Sequence, residues 1–298
     1  MPEQPVPRTG ASGVIHDLGY RPYDGPRNGS GTIASALFLS GFRNAFGLGR
    51  SGKSKVLPFL LLALNLLPAV IIVGAMTLFN ANELPLGYAR YASATQILVS
   101  IFVAAQAPVL FSRDLRHGSI ALYLARPLSS AAYAVARWAA LLAATLVFLL
   151  VPIVALYVGA VLAELDFSEQ TEEAAKAALL AVLLALMLTG ISGLIASVSV
   201  RRGFAVVATI AVLLLGNGVV TAVQGISDEQ GELRVGEVAG LFSPYSLYRG
   251  GTSALTDELF LTPPTGAVMT AAYFAVMVLV GIAGLAGIVL RYRRIAGR

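Results

Sequence analysis

Residues 57–79 read LPFLLLALNLLPAVIIVGAMTLF, an apolar run of 23 residues without a single charged side chain. A run of this length crosses the roughly 30 Å hydrocarbon layer of a bilayer as one α-helix, which needs about 20 residues. Five further apolar runs predict five more spans. The six predicted spans lie near 57–79, 91–111, 134–163, 174–200, 204–225 and 267–290. The sequence therefore predicts an all-α membrane protein with six transmembrane helices.

The composition of the chain agrees with a membrane location and excludes several kinds of site. Of its 298 residues 57% are hydrophobic and only 12% are charged, whereas about a quarter of the residues in soluble domains are charged. The chain has no cysteine, which excludes disulfides and thiolate metal sites. It has only two histidines, His16 and His117, too few for a histidine-rich metal cluster. We therefore expect this chain to bind no metal or cofactor of its own.

The charged residues are distributed unevenly between the two sides of the predicted bundle. The N-terminal segment, the connection between spans two and three with the start of span three, the connection between spans four and five, and the C-terminal tail carry 17 of the 21 basic residues. The opposite connections carry 12 of the 16 acidic residues. Loops rich in lysine and arginine stay in the cytoplasm, so both termini are predicted to be cytoplasmic. Attraction to anionic lipid headgroups explains most of this excess of basic residues on one side, and a nucleic-acid partner is not expected.

Residues 47–54, GLGRSGKS, match the phosphate-loop pattern of nucleotide-binding proteins. Such a loop works where a buried β-strand leads into a helix within an α/β domain. Here Thr32 to Phe46 carry apolar residues at three- and four-residue spacings, which predicts an amphipathic helix. We therefore expect a fortuitous match in a chain that does not hydrolyse ATP, and an interfacial helix whose basic residues contact lipid phosphates.

The predicted spans contain polar and small residues but no ionisable residue at their centres. Proton-coupled carriers usually need an ionisable group there, so energy is expected to enter elsewhere. Asn65, Gln106 and Asn217 are candidates for contact with a substrate along a translocation path, and hydrogen bonding between helices is the alternative. Close helix packing is expected at the glycines of the spans. These are Gly190, Gly193, Gly216, Gly218, Gly281, Gly284 and Gly287.

Residues 111–142, between spans two and three, begin with a stretch that can form a short amphipathic helix. Its apolar side carries Leu115 and Ile120, and its arginines are predicted to be exposed. The helix is expected to end before Pro127, because proline favours an extended conformation of the preceding residue. A helix held between two spans is suited to docking into a groove on another protein. An ordinary positive-inside loop is the alternative.

The run D-x-R-x-G-S-I-x-L-Y-L-A-R-P-L-S, from Asp114 to Ser129, resembles the corresponding loop of type-2 ABC transporter permeases, the membrane subunits of bacterial ATP-driven exporters. In that family the segment forms a coupling helix that docks on a separate ATPase subunit. The helix predicted from Thr32 to Phe46 is similar to the family's elbow helix. VAGLFSPYSLY, from Val238 to Tyr248, is similar to the short re-entrant helices that family members carry between spans five and six.

This resemblance implies a cytoplasmic N-terminal arm over residues 1–31 and a six-helix type-2 domain over residues 32–298. It implies a bacterial cytoplasmic membrane protein that pairs with itself or with a homologous permease and works with a separate ATPase, which binds ATP and magnesium. The expected ATPase-docking residues are Arg113, Asp114, Arg116, His117 and Arg126, of which Asp114 is expected to orient the helix.

Other functional classes stay open at this point. They are a self-sufficient channel, a secondary carrier, and a membrane anchor or assembly protein. The sequence does not name a cargo, and no mechanism is assigned to the GYRPYDGPR stretch at residues 19–27.

Overall fold

The computed structural model describes Gly25 and residues 29–79, 83–118, 120–124, 128–256 and 258–296. Along these residues the chain forms thirteen α-helices and one π-helical turn, and no β-strand. The helices are α1 (Ser30–Ala45), α2 (Gly52–Phe79), α3 (Tyr88–Ala94), α4 (Gln96–Leu110), α5 (Ser112–Arg116), α6 (Ile120–Leu124), α7 (Ser130–Leu162), α8 (Phe167–Val198), α9 (Arg202–Ile210), α10 (Gly216–Glu229), α11 (Leu233–Gly240), α12 (Pro244–Leu255) and α13 (Gly266–Ala296). Most of the predicted arm at residues 1–31, with the 19–27 stretch, lies outside the described residues.

Six helical stretches are long and apolar enough to cross a membrane, which confirms the number of spans predicted from the sequence. They are Gly52–Phe79, Gln96–Arg116, Ser130–Leu162, Phe167–Val198, Arg202–Glu229 and Gly266–Ala296. The fifth stretch joins α9 and α10 through the π-helical turn Ala211–Leu215. Each overlaps one predicted span, so the sequence located all six.

The helix that contains the fourth span begins at Phe167, earlier than residue 174, where the sequence placed the start of the span. The side chain of Asp166 caps α8 by accepting a hydrogen bond from the backbone N–H of Glu169 at 2.8 Å. Lys176 adds ion pairs of 2.8 Å with Glu172 and Glu173 on the same helix. Hydropathy marks only the part of a helix that lies in lipid, and these polar contacts extend α8 beyond it.

The second predicted span, 91–111, is divided in the structure. Residues Tyr88–Ala94 form the separate helix α3, and α4 begins only at Gln96. Thr95 lies at the junction and donates its hydroxyl to the carbonyl of Tyr91 at 3.1 Å. The spanning stretch Gln96–Arg116, which includes α4, is the most enclosed of the six, and 72% of its most apolar part is buried. It therefore occupies the middle of the bundle.

The most extensive contact in the bundle joins α8 and α13, and glycines permit it. A Cβ atom added at Gly284 would lie 2.4 Å from the Cα of Gly190. Gly193, Gly281 and Gly287 also face the neighbouring helix closely, so close packing is confirmed at these glycines. The expectation was wrong for Gly216 and Gly218, where an added Cβ would meet no atom within 4 Å. At neither position does another part of the described chain approach the helix closely.

The helix α1 packs along the start of α7 through Leu37, Gly41 and Ala45, its buried residues. A Cβ atom added at Gly41 would lie 2.8 Å from the Cβ of Ala140. A turn containing Gly47 and Gly49, both at positive φ, then leads into α2. Because a Cβ at Gly47 would lie 2.3 Å from the carbonyl oxygen of Ser54, this reversal requires glycine.

The segment between spans five and six is folded against the bundle. Tyr245 of α12 contacts the hydroxyl of Ser100 at 2.6 Å, and Tyr248 donates its hydroxyl to the carbonyl of Ala89 at 2.7 Å. Both tyrosines are almost completely buried. The helix α12 is therefore an internal element, packed on α3, α8 and α13.

Candidate docking surface

Three separate parts of the chain bring arginines together at one end of the bundle, called the basic end below. Arg50 comes from the turn before α2, Arg113 and Arg116 from α5, and Arg202 from the start of α9. They surround a pocket of about 170 Å³, whose lining also includes His117 and the apolar residues Pro108, Val109 and Val200. All four arginines and His117 are exposed. These five residues are called the basic cluster.

The arginines of the basic cluster have no carboxylate partner among the described residues. Among the described residues, the only basic side chains that form ion pairs are Arg137 and Lys176. Burial lowers the pKa of Arg50 from its ordinary value, and the charges of Arg113 and Arg202 lower it further. Like charges held this closely repel each other, so an anionic partner would relieve the repulsion.

The short helix α5 is fixed to the bundle by a buried ion pair. Asp114 accepts a hydrogen bond from Nη2 of Arg137 in α7 at 2.5 Å and another from the hydroxyl of Tyr133 at 2.6 Å, both at Oδ2. Ser112 adds a hydrogen bond of 2.9 Å to the carbonyl of Ala196 in α8. The helix α5 is thus anchored to α7 and α8 while Arg113 and Arg116 stay exposed.

Aromatic rings surround the guanidinium of Arg137. The rings of Tyr123 and Tyr133 lie with their centroids 5.7 and 5.5 Å from its central carbon, within the range of cation–π attraction. Tyr292 of α13 packs against Tyr133 with the ring centroids 5.1 Å apart, and against Phe111 at 6.4 Å. The anchor therefore includes the last span as well as the third.

The predicted docking residues take two different places in the structure. Arg113, Arg116 and His117 lie together in the basic cluster. Asp114 is only 4% exposed and points into the bundle, so it can orient α5 and cannot contact a partner protein directly. Arg126 lies outside the described residues.

Sequence reasoning missed three residues of this region. Arg50 and Arg202 are distant from α5 along the chain, and only the folding of three segments onto one end brings them to it. Arg137 was counted as one more basic residue at the start of span three. The signal in the sequence was a lone arginine within the apolar run of α7. Such an arginine indicates a buried carboxylate partner, because a charge is rarely buried unpaired.

The polar residues predicted for a translocation path are buried within the bundle. Asn65 donates to the carbonyl of Phe148 at 2.9 Å and joins α2 to α7. Gln106 is buried in α4, only 4% exposed. The side-chain oxygen of Asn217 accepts hydrogen bonds from Ser243 at 2.9 Å and Arg249 at 3.1 Å. Asn65 and Asn217 thus make the helix-to-helix hydrogen bonds that were the alternative interpretation.

The GLGRSGKS stretch covers most of the turn between α1 and α2 and the first three residues of α2. The residues before this turn are helical, whereas a nucleotide-binding phosphate loop follows a β-strand. Arg50 of this stretch lines the pocket of the basic cluster.

The fold and the site define a membrane protein with six candidate spanning helices among the described residues and an exposed cluster of cationic side chains at one end. No protein-family model matches the chain, and no curated protein matches it significantly. The functional proposal below therefore depends on the geometry of the residues themselves.

Proposed function

We propose that the chain is the membrane-spanning permease subunit of an ATP-driven exporter of the type-2 ABC class. In this proposal it lies in the bacterial cytoplasmic membrane with both termini in the cytoplasm. It pairs with a second permease, and a separate ATPase that binds ATP and magnesium supplies the energy.

The anchored helix α5 is the observation that carries this proposal. A helix that transmits force must expose a docking surface and must also be fixed rigidly to the elements that move. Arg113 and Arg116 supply the exposed surface, and the buried Asp114–Arg137 pair supplies the attachment. A displacement of α5 would therefore pass directly into α7 and, through Tyr292, into α13.

Other features of the fold support the same class. The helix α1 lies against α7 before the first span, as an elbow helix would. The helices α11 and α12 fold back against the bundle between spans five and six, as a re-entrant pair would. In the proposed orientation the basic cluster faces the cytoplasm, where a soluble ATPase is available.

Charge reversal of the docking surface tests the proposal. The full-length chain is purified from its native membrane in mild detergent, and proteins that accompany it are identified and assayed for ATP hydrolysis. We expect an ATPase to co-purify with the unmutated chain. The double variant Arg113→Glu and Arg116→Glu should weaken this association about tenfold or more, because close charge pairs across interfaces are worth one to several kcal/mol.

Arg234→Glu is the matched control, because Arg234 is an exposed arginine in α11, away from the basic cluster. This variant should retain the ATPase at the unmutated level. Retention of the ATPase by the double variant, together with full transport, would remove α5 from the mechanism. Absence of any ATPase from the purified native complex would favour a channel, a carrier or an assembly protein.

A further inference from the structure

Arg249 of α12 is a half-buried cation whose hydrogen-bond partners are all neutral. Its Nη2 donates to the side-chain oxygen of Asn217 at 3.1 Å and to the hydroxyl of Thr221 at 3.0 Å. No carboxylate lies within ion-pair distance of Arg249 among the described residues. Its Nε and Nη1 donate to none of these residues and are not completely enclosed by them. Arg249 thus holds a positive charge with free donors.

The depth of Arg249 in the membrane makes this charge unusual. The depth is judged from its hydrogen-bond partner Asn217, which lies in the fifth span. Asn217 lies fifteen residues after Arg202. If the hydrocarbon layer begins at Arg202, Asn217 lies roughly 22 Å into it at about 1.5 Å per residue. The hydrocarbon layer is roughly 30 Å thick, so the guanidinium then lies in the leaflet farther from the basic end. This opposite end of the bundle, where most acidic residues lie, is called the acidic end below. Ionisable groups at such depth are costly and mark functional sites.

An open, apolar surface adjoins the guanidinium. On α10 the residues Gly218, Ala222 and Gly225 share a face with Thr221, and a Cβ added at either glycine would meet no atom within 4 Å. Val219 and Ile226 of the same helix are 65% and 56% exposed. The fifth span is only 22% buried overall. A molecule held here would have an apolar chain along α10 and an anionic group at Arg249.

We infer that Arg249 and the adjoining face of α10 form a binding site for a phospholipid with an anionic headgroup. The phosphate accepts a hydrogen bond from an N–H of Nε or Nη1, while Asn217 and Thr221 hold Nη2 in place. The acyl chains cover the exposed face of α10. This site is independent of ATPase docking, since it lies at the opposite end of the bundle.

Fluorescence quenching at a single tryptophan tests this inference in the full chain. The only tryptophan, Trp138, is replaced by phenylalanine, and Val219→Trp places a reporter on the exposed face of α10. The protein is reconstituted in mixtures of phosphatidylglycerol and phosphatidylcholine, either of which carries bromine on its acyl chains. We expect the reporter to show about a tenfold preference for phosphatidylglycerol, equivalent to about 1.4 kcal/mol.

Three substitutions in this background identify the source of the preference. Arg249→Gln should abolish it while quenching by brominated phosphatidylcholine continues, which shows that the helix still faces lipid. Arg249→Lys should keep a preference for the anionic lipid, because the charge remains. Arg234→Gln, at an exposed arginine of the same end, should change nothing.

Three results would overturn the inference. An undiminished preference in Arg249→Gln would assign the anionic lipid to another residue. A reporter that no brominated lipid quenches would show that a second copy of the chain covers this face. Loss of the preference on addition of inorganic phosphate would show that the site takes a free anion and not a lipid.

Discussion

Asp114 and Arg137 form a buried ion pair with 2.5 Å between Oδ2 and Nη2, and their side chains are only 6% and 5% exposed. The pair joins α5, which presents the exposed arginines of the basic cluster, to the third span. The hydroxyl of Tyr133 donates to the same carboxylate oxygen, so the charge of Asp114 is compensated from two directions.

Removal of one member of this pair should destabilise the protein strongly. Asp114→Ala would leave the guanidinium of Arg137 buried without its partner, which typically costs about 3–5 kcal/mol. The measurement is the free energy of unfolding in detergent titrations. The double variant Asp114→Leu and Arg137→Met should recover most of this loss, because an apolar pair leaves no buried charge.

An exposed ion pair provides the control for this comparison. Lys176 and Glu172 are 2.8 Å apart, but the glutamate side chain is 69% exposed. Glu172→Ala should therefore leave the free energy of unfolding nearly unchanged, because solvent screens an exposed pair. Equal effects of Asp114→Ala and Glu172→Ala would contradict the assignment of Asp114–Arg137 as a structural anchor.

The sequence predicted what depends on local pattern and missed what depends on contacts distant along the chain. Apolar runs located all six spans because hydropathy is a property of consecutive residues. The hydropathy pattern did not predict that α8 begins at Phe167, because the cap by Asp166 lies outside the apolar run. The meeting of Arg50, Arg113 and Arg202 was not predictable, because it requires three segments to fold onto one end.

The glycines of the spans illustrate the same limit and yield a second prediction. Gly284→Ala should destabilise the protein by about 1–3 kcal/mol, because the added Cβ would lie 2.4 Å from the Cα of Gly190, which cannot move independently of its helix. Gly216→Ala should be neutral or stabilising by up to about 1 kcal/mol, since the site is open and alanine favours helix. Both are measured by the same detergent titration, and the opposite order would contradict the α8–α13 packing.

The proposed orientation predicts which positions a membrane-impermeant thiol reagent can reach. The chain has no cysteine, so single cysteines report without interference. Ser168→Cys and Gln230→Cys, at exposed positions of the acidic end, should be labelled on intact cells. Ser51→Cys and Ala296→Cys should react only after the membrane is permeabilised. The reverse pattern would invert the topology and place the basic cluster outside the cell.

Glu258 should give the stability of the acidic end a pH dependence. Burial raises the pKa of this carboxyl above its usual 4.5, although the charge of Arg90 partly offsets the effect. A raised pKa in the folded state means that the folded protein binds the proton more tightly than the unfolded chain does. The free energy of unfolding should therefore fall as the pH rises from about 4.5 through the raised pKa.

Glu258→Gln should flatten this dependence and stabilise the protein at neutral pH, because a neutral amide replaces a half-buried charge. Glu169→Gln, at an exposed acid of the same end, is the control. The comparison uses detergent titrations repeated between pH 4 and pH 8. An unchanged slope in Glu258→Gln would show that another group carries the pH dependence.

The basic cluster makes a prediction for residues that no continuous motif contains. Arg50 and Arg202 line the same pocket as Arg113 and Arg116, and like them have no carboxylate partner among the described residues. If an acidic surface of the ATPase docks here, Arg50→Glu and Arg202→Glu should each weaken its binding several-fold, and the loss should shrink at high salt because exposed charges are screened.

Lys55→Glu is the matched control. Lys55 lies five residues after Arg50 and does not line the pocket, so its replacement should have a smaller effect. Binding of the purified ATPase to the reconstituted permease is measured at two salt concentrations. Equal losses from Arg50→Glu and Lys55→Glu would indicate attraction by net charge alone and would contradict a localised docking pocket.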